Sequence, residues 1–268
     1  MLTDHLVLRT VDGAADLLVE ELRALPSIRS IRQTSAETVE CVLDGSLDEL
    51  AACTLYSTVE MTSLRTGVLS TLEQPARFRV GLLSWTNRFG RAERLPWSTN
   101  LIVAEVLVRL AKLRPGDRVL DPFCGTGTIL RAVRRREPTA RAIGIDHDPH
   151  ALSLNPPPCP LIRSSAAALP LRPATIDRVI ANLPFGKLVG SHRTNRTLYP
   201  AVLRELDRVL KPTGRAVLLT EDKRLLRTAV EQQRALKLVR ERLLRYNGAT
   251  PTAYVLTRTR LSKTATSR

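Results

Sequence analysis

Apolar positions recur along this chain with two different periods, and the change from one to the other marks its elements. His5 to Thr10 alternates like a strand. Ala14 to Leu25 has helical spacing, with Leu17, Leu18, Leu22 and Leu25 near one face, and Pro26 stops it. Ile28 to Arg32 and Thr38 to Leu43 read as strands, Ser46 caps a short helix through Ala52, and Thr58 to Arg65 reads as another strand. The order β-α-β-β-α-β is that of a small ferredoxin-like α+β unit. Between residues 68 and 96 the pattern weakens. Arg77 to Leu83 reads as a strand, and the polar, basic Asn87 to Arg94 reads as a connector.

From Trp97 onward strands and helices alternate. Ser98 is expected to cap a helix to about Leu113, with Ile102, Val106 and Leu110 on one face, and Pro115-Gly116 breaks it. A strand ends at Asp121, and Thr128 is expected to cap a helix from Ile129 to Arg136. Arg141 to Ile145 is a strand ending at Asp146, and a helix from Pro149 to Leu154 meets the run Pro156-Pro157-Pro158. Leu161 to Arg163 and Ile176 to Ala181 are strands, the second ending at Asn182. A helix from Leu198 to Leu210 follows, and Pro212 and Gly214 turn the chain into a strand from Arg215 to Leu219. After a helix from Lys223 to Gln233, Leu236 to Tyr246 and Ala253 to Thr259 form a closing antiparallel pair. This is an α/β pattern: a mostly parallel, seven-stranded sheet covered on both faces. The expected division is an N-terminal unit over 1–67, a linker over 68–96, an α/β domain over 97–260 and a basic tail over 261–268.

Composition narrows the setting. The 268 residues are 43% hydrophobic, enough for a real core, and no apolar run is long enough to cross a membrane. Met1 to Thr10 lacks a basic segment followed by an apolar core, so no secretory signal is expected. Cys41, Cys53, Cys124 and Cys159 lack paired metal spacing, so they read as reduced thiols in a cytoplasmic protein. The net charge of +15 points to a polyanionic partner. Its distribution is uneven: residues 1–90 hold eight Arg and no Lys against twelve acidic residues, a net of −4, which leaves +19 for the remainder. The basic surface therefore belongs to the α/β part.

In an open α/β sheet, ligands sit beyond the carboxyl ends of the strands. Three strand ends here carry informative residues. Asp121-Pro122-Phe123-Cys124-Gly125-Thr126-Gly127-Thr128 joins a strand to a helix through a glycine turn, which lets the backbone approach a ligand closely. With no paired His evident, Cys124 reads as a small filler. Asp146 ends the next strand, where a carboxylate can accept hydrogen bonds from ribose hydroxyls or cap the following helix. Asn182-Leu183-Pro184-Phe185-Gly186 ends the fourth.

That third segment separates the chemistries. A dehydrogenase has no use for it, but methyl transfer to an exocyclic amine or amide nitrogen does. Such a nitrogen has its lone pair delocalised, and becomes nucleophilic when its N–H bonds point at fixed acceptors. Asn182 offers a side-chain carbonyl and Leu183 a backbone carbonyl, which Pro184 aims by restricting the residue before it. Phe185 can stack on a base, at about 1–3 kcal/mol per base. Lys187, His192, Arg193 and Arg196 then form a basic loop suited to phosphates. Within it Lys187, Arg193 and Arg196 are the RNA-binding candidates, while His192 reads as a solvated loop residue.

These motifs, with Gly190 and the Asn195…Leu198-Tyr199-Pro200 segment, resemble those of the THUMP-associated RNA guanine-N2 methyltransferases over about residues 95–260. The resemblance implies a Rossmann-like methyltransferase fold using S-adenosylmethionine, with tRNA or rRNA as the substrate. By match, Asp121, Gly125 and Gly127 would shape the methionine side of the cofactor pocket, Asp146 would hold the ribose, and Phe123 and Asn182 would line the cofactor too. Asn182, Leu183, Pro184 and Phe185 would orient and stack the target guanine. Two departures are visible. Ser164-Ser165 stands where family members carry an acidic residue for the adenine amine, so Ser165 is the candidate there. Residues 68–96 are also too few for the family's THUMP module. The alternatives are a non-catalytic RNA-binding or assembly protein with a lapsed cofactor site, or transfer to adenine N6 or a protein glutamine.

Overall fold

The computed structural model describes residues 4–63, 78–79, 88–89, 95–154, 159–185 and 192–259, with backbone only at 62–63, 78–79 and 192. Gly186, Lys187, Gly190, the triple-proline run, most of the linker and the basic tail lie outside the described residues. The chain forms two compact units, 1–91 together with 244–247, and 92–243 together with 248–268.

In the first unit the elements are β1 (Asp4–Arg9), α1 (Ala15–Arg23), β2 (Ile28–Gln33), β3 (Thr38–Leu43), a 3-10 segment (Leu47–Ala52), β4 (Thr58–Ser63) and the short β5 (Phe78–Arg79). The sheet order is β2-β3-β1-β4-β5, and all four pairings are antiparallel. Alternation puts Leu6 and Leu8 of β1 and Val39, Cys41 and Leu43 of β3 in the core, beneath Leu18 and Leu22 of α1. The first four strands follow the ferredoxin-like order. The second helix of that pattern is a 3-10 segment, with the Ser46 hydroxyl accepting the Asp48 N–H at its start.

The second unit contains α2 (Leu101–Ala111), β6 (Arg118–Asp121), α3 (Thr128–Arg136), β7 (Arg141–Asp146), α4 (Pro149–Leu154), β8 (Leu161–Arg163), β9 (Ile176–Asn182), α5 (His192–Val209), β10 (Leu210–Thr220), α6 (Lys223–Gln233), β11 (Leu236–Leu243) and β12 (Thr252–Arg258). Its seven strands lie in the order β11-β12-β10-β9-β6-β7-β8. The five from β10 to β8 are parallel, and β12 and β11 close the sheet antiparallel. The mostly parallel, seven-stranded sheet expected from the alternation of elements is present, and its order is that of the Rossmann-like methyltransferase fold that the resemblance implies.

One face of that sheet packs on α5 and α6 through Val179, Ala181, Tyr199, Val202, Leu206 and Leu226. The other carries α2, which is buried along nearly its whole length and packs against α3, β9 and β10. Its buried Glu105 is paired with Arg109 at 3.1 Å and Arg135 at 2.9 Å, as a carboxylate in that position requires. The order reverses between β6 and β9, because the chain runs outward through β7 and β8 and then returns to the other side of β6. A crevice opens where neighbouring strands diverge in this way, and Asp121 and Asn182 end the two strands that flank it.

Several local expectations are corrected. Asn100, not Ser98, caps α2: its Oδ1 accepts the N–H groups of Ile102 and Val103, while the Ser98 hydroxyl bonds with Thr126 at 3.1 Å. Gly127, at φ +79°, stands at the N-cap of α3, so Thr128 lies inside the helix and does not cap it. Helix α5 begins at His192, so Arg193 and Arg196 sit on its first turns and not in a loop. Strand β10 begins at Leu210 and absorbs Pro212 and Gly214 in a register shift before Arg215.

Candidate active site

The glycine turn after β6 folds around two carboxylates. Asp121 ends β6 and is almost fully buried. Its Oδ1 accepts the Phe123 N–H at 3.1 Å, and its Oδ2 is buried with no hydrogen-bond partner. Burial pushes its pKa well above the usual carboxylate value. The nearby charge of Asp146 acts in the same direction, against the Phe123 hydrogen bond.

Asp146, at the end of β7, organises the backbone of two loops. Its Oδ2 accepts the Gly125 N–H at 2.8 Å, and its Oδ1 accepts the Asp148 N–H at 3.0 Å. A carboxylate has about four lone-pair sites, so acceptor capacity remains for a ligand's hydroxyls. Gly125 has φ +49° and nothing within 4 Å of where a Cβ would stand, so the turn leaves open space above it. Phe123 is partly buried against the core, where it supports the turn. Cys124 is buried, and burial raises its thiol pKa far above the ordinary value, which suits a filler and not a nucleophile.

At the end of β9, Asn182 donates from Nδ2 to the Thr99 hydroxyl at 3.2 Å. This orients the amide and leaves Oδ1 buried without a partner. Leu183 donates its N–H to the carbonyl of Leu219 on β10 at 2.9 Å, which ties the start of the loop to the sheet. The Pro184 carbonyl accepts from Asn195 Nδ2 at 2.7 Å and from the Tyr199 hydroxyl at 2.8 Å. Phe185 is half-buried.

Two adjacent strand ends therefore present unpaired buried oxygens, Asp121 Oδ2 and Asn182 Oδ1. An unmet buried polar group costs about 1–3 kcal/mol, so each is better satisfied with a ligand in place. Such a pair fits S-adenosylmethionine, whose ammonium and sulfonium suit carboxylate surroundings, together with an amine acceptor whose N–H suits the Asn182 carbonyl.

The remaining candidates are more peripheral. Ser165 is exposed in the loop after β8, where its hydroxyl accepts the Ala167 N–H at 3.2 Å and its O–H stays available as a donor. Arg193 and Arg196 are exposed on α5, and Lys187 lies outside the described residues. Sequence reasoning gave no role to Thr99 or Thr220, and named Asn195 and Tyr199 only within the segment that carries the family resemblance. The signal that could have found two of them is the i, i+4 spacing of Asn195 and Tyr199, which puts both on one helical face.

Comparison with known proteins places the unit that holds these residues. A family model described as the RMKL-like methyltransferase domain matches residues 94–133 and 160–251. The tRNA (guanine(6)-N(2))-methyltransferase THUMP3 of Mus musculus is 34% identical over 152 residues, covering 48% of this chain and 30% of that protein. The tRNA (guanine(6)-N2)-methyltransferase of Thermus thermophilus is 35% identical over 180 residues, covering 64% of this chain and 53% of that protein. The chain thus spans about a third to a half of the length of these relatives. The crystal structure of TrmN from Thermus thermophilus superposes with a TM-score of 0.73 at 23% identity, over 96% of this chain and 100% of that one, so the two share a fold. The α/β unit that carries the Asp121 turn and the Asn182 loop belongs to the RMKL-like methyltransferase-domain family.

Proposed function

We propose that this protein transfers a methyl group from S-adenosylmethionine to the exocyclic N2 amine of a guanosine in RNA, with tRNA as the favoured substrate. The observation that carries the proposal is the buried, unpartnered Oδ1 of Asn182, turned to accept by the bond from its own amide to Thr99. Asp121, Phe123, Gly125, Gly127, Asp146 and Ser165 would hold the cofactor, which supplies an electrophilic methyl on a sulfonium. The chain's own residues do the rest.

An exocyclic amine donates its two N–H bonds, one to Asn182 Oδ1 and one to the Leu183 carbonyl. Held this way, its lone pair turns away from the ring plane and toward the donor. Of the loop's backbone carbonyls, that of Pro184 already accepts two bonds, so Leu183 supplies the second acceptor. Phe185 stacks on the base. No strong general base is required, because the amine becomes acidic once methylated, and the rate gain comes from orientation and hydrogen bonding.

Three further observations support an RNA substrate handled in a reducing compartment. The net positive charge lies outside the first 90 residues. Exposed Arg193 and Arg196 sit near the N-terminus of α5, an end that favours phosphate. All four cysteines are free thiols. Among the described residues, no helix is long and apolar enough to cross a membrane.

The test is methyl transfer from labelled S-adenosylmethionine into separate RNA, DNA and protein pools, followed by nucleoside analysis. N2-methylguanosine in RNA is the expected product. Asn182→Ala should lower turnover by about 10² or more, the scale of removing one positioned hydrogen-bonding group from an active site, while the melting temperature holds. RNA methylation that survives Asn182→Ala would refute the mechanism, and label only in adenine or glutamine would redirect the acceptor.

A further inference from the structure

The Pro184 carbonyl is the end point of a hydrogen-bond chain that the transfer chemistry does not use. It accepts from Asn195 Nδ2 at 2.7 Å and from Tyr199 Oη at 2.8 Å. Tyr199 Oη also lies 2.8 Å from Thr220 Oγ1, which in turn accepts the Asp222 N–H at 2.9 Å. All three side chains are buried, with Asn195 and Thr220 at 0% exposure and Tyr199 at 1%.

The direction of every proton follows. A carbonyl only accepts, so Tyr199 uses its single O–H proton on Pro184. At the contact with Thr220, Tyr199 must therefore accept, and Thr220 must donate. That leaves the Thr220 oxygen to accept from Asp222, as observed. Burial raises the Tyr199 pKa, so the phenol keeps its proton and the chain keeps its polarity. Both lone pairs of the Pro184 carbonyl are filled, one from each of two residues four apart on α5. Thr220 ties the same cluster to the end of β10.

Because the peptide bond is planar, fixing the Pro184 carbonyl also fixes the Phe185 N–H on its opposite side. The φ of Pro184 is locked by its ring. The loop is thus held at its third residue by α5 and β10, and at its start by the Leu183 to Leu219 bond. The two groups that would meet a substrate, the Leu183 carbonyl and the Phe185 ring, lie on either side of the clamped unit.

We propose that Asn195, Tyr199 and Thr220 are positioning residues that set the acceptor loop for catalysis through the Pro184 carbonyl. The proposal rests on the methyl-transfer reading of the same loop. A positioning role predicts that loosening the latch lowers kcat and leaves cofactor affinity nearly unchanged, because every cofactor candidate except Asn182 stands outside this loop, and Asn182 is anchored separately by its bond to Thr99. A merely structural role predicts a lower melting temperature with kcat intact.

The experiment compares the natural protein with Tyr199→Phe, Thr220→Val and Thr220→Ser. It measures kcat and KM for methyl transfer, S-adenosylmethionine affinity by calorimetry, and hydrogen exchange of the peptide spanning Asn182 to Phe185. Tyr199→Phe and Thr220→Val should each lower kcat about tenfold or more, as small misplacements of reacting groups do. Cofactor affinity should stay within a factor of about two, and the loop peptide should exchange faster. Thr220→Ser keeps the hydroxyl and should retain natural kcat.

Unchanged kcat in Tyr199→Phe overturns the proposal, whether or not the loop exchanges faster. So does equal loss in Thr220→Ser and Thr220→Val, or a fall in cofactor affinity that matches the fall in kcat. Failure of the functional reading shows separately, in the natural protein. If that protein methylates an acceptor other than guanine, the same ratios are read on that acceptor. A natural protein inert on every acceptor overturns the positioning role as well, and the exchange data then describe a structural latch.

Discussion

Asp121 and Asp146 are neighbouring carboxylates with opposite circumstances. Asp146 accepts two backbone N–H groups and a contact from His147 at 3.2 Å, so its charge is well met. Asp121 accepts one N–H and leaves Oδ2 bare. Its folded pKa lies well above its ordinary value of 3.8, with burial as the leading cause. The linkage then has a definite sign. Between 3.8 and the raised value, the folded chain binds a proton that the unfolded chain has released, so stability falls as pH rises through that window. Below 3.8 both states are protonated and the relative benefit is fully present. Asp121→Asn mimics the neutral carboxyl at every pH. In the cofactor-free protein it should raise the melting temperature near pH 7, with each kcal/mol recovered worth about 2–4 °C for a chain of this size. The gain should shrink on acidification and vanish near pH 3. If Asp121 holds the cofactor as proposed, the substitution should also weaken S-adenosylmethionine binding, because it removes the carboxylate. Thermal scans across pH 3–8 check this, and a pH-independent difference would mean that burial does not raise the Asp121 carboxyl.

Helix α2 shows how an element can be foreseen and its boundary missed. Ser98 and Asn100 are both good capping types, two residues apart, and propensity cannot choose between them. The choice is tertiary: the Ser98 hydroxyl is engaged by the Leu95 N–H and by Thr126, leaving Asn100 to meet Ile102 and Val103. Asn100→Ala should therefore cost about 1 kcal/mol, or about 2–4 °C in melting temperature. Ser98→Ala should leave α2 helical by circular dichroism. Equal losses from the two substitutions would refute the assignment. The same logic sorts what the sequence made legible. The order of strands and helices was readable because apolar periodicity reports burial directly. The Asp121 turn and the Asn182 loop were readable because only glycine, proline and a few polar types satisfy their backbones. The start of α5 was not, because His192 to Thr197 is polar and only Asn195 among its described side chains turns inward. The Tyr199–Thr220 link was hidden for a related reason: it spans 21 residues and exists only once α5 packs beside β10. Strand β10 looked shorter than it is, since Pro212 and Gly214 are absorbed by a register shift that local sequence does not announce.

At the scale of the whole molecule, charge is unevenly divided along the chain. The first 90 residues carry a net charge of −4 while the remainder carries +19, so a polyanion should be gripped by the unit that holds the Asn182 loop. Phosphate contacts release counterions, and each contact to a single strand adds about 0.7 to the slope of log affinity against log salt concentration. Arg193 and Arg196 are exposed on the helix that also carries the Pro184 latch, so phosphates held there lie beside the acceptor loop. Replacing both with alanine should reduce the slope by up to about 1.4 if each meets one phosphate. Substituting the exposed Glu37 and the half-buried Glu40 of the acidic unit with glutamine should leave it unchanged. Anisotropy titrations of a labelled tRNA at several salt concentrations give both slopes. An unaltered slope in the arginine pair would move the grip elsewhere on the basic unit. An altered slope in the glutamate pair would instead bring the acidic unit into the RNA's field, and the net charge of each half would then no longer predict where the RNA binds.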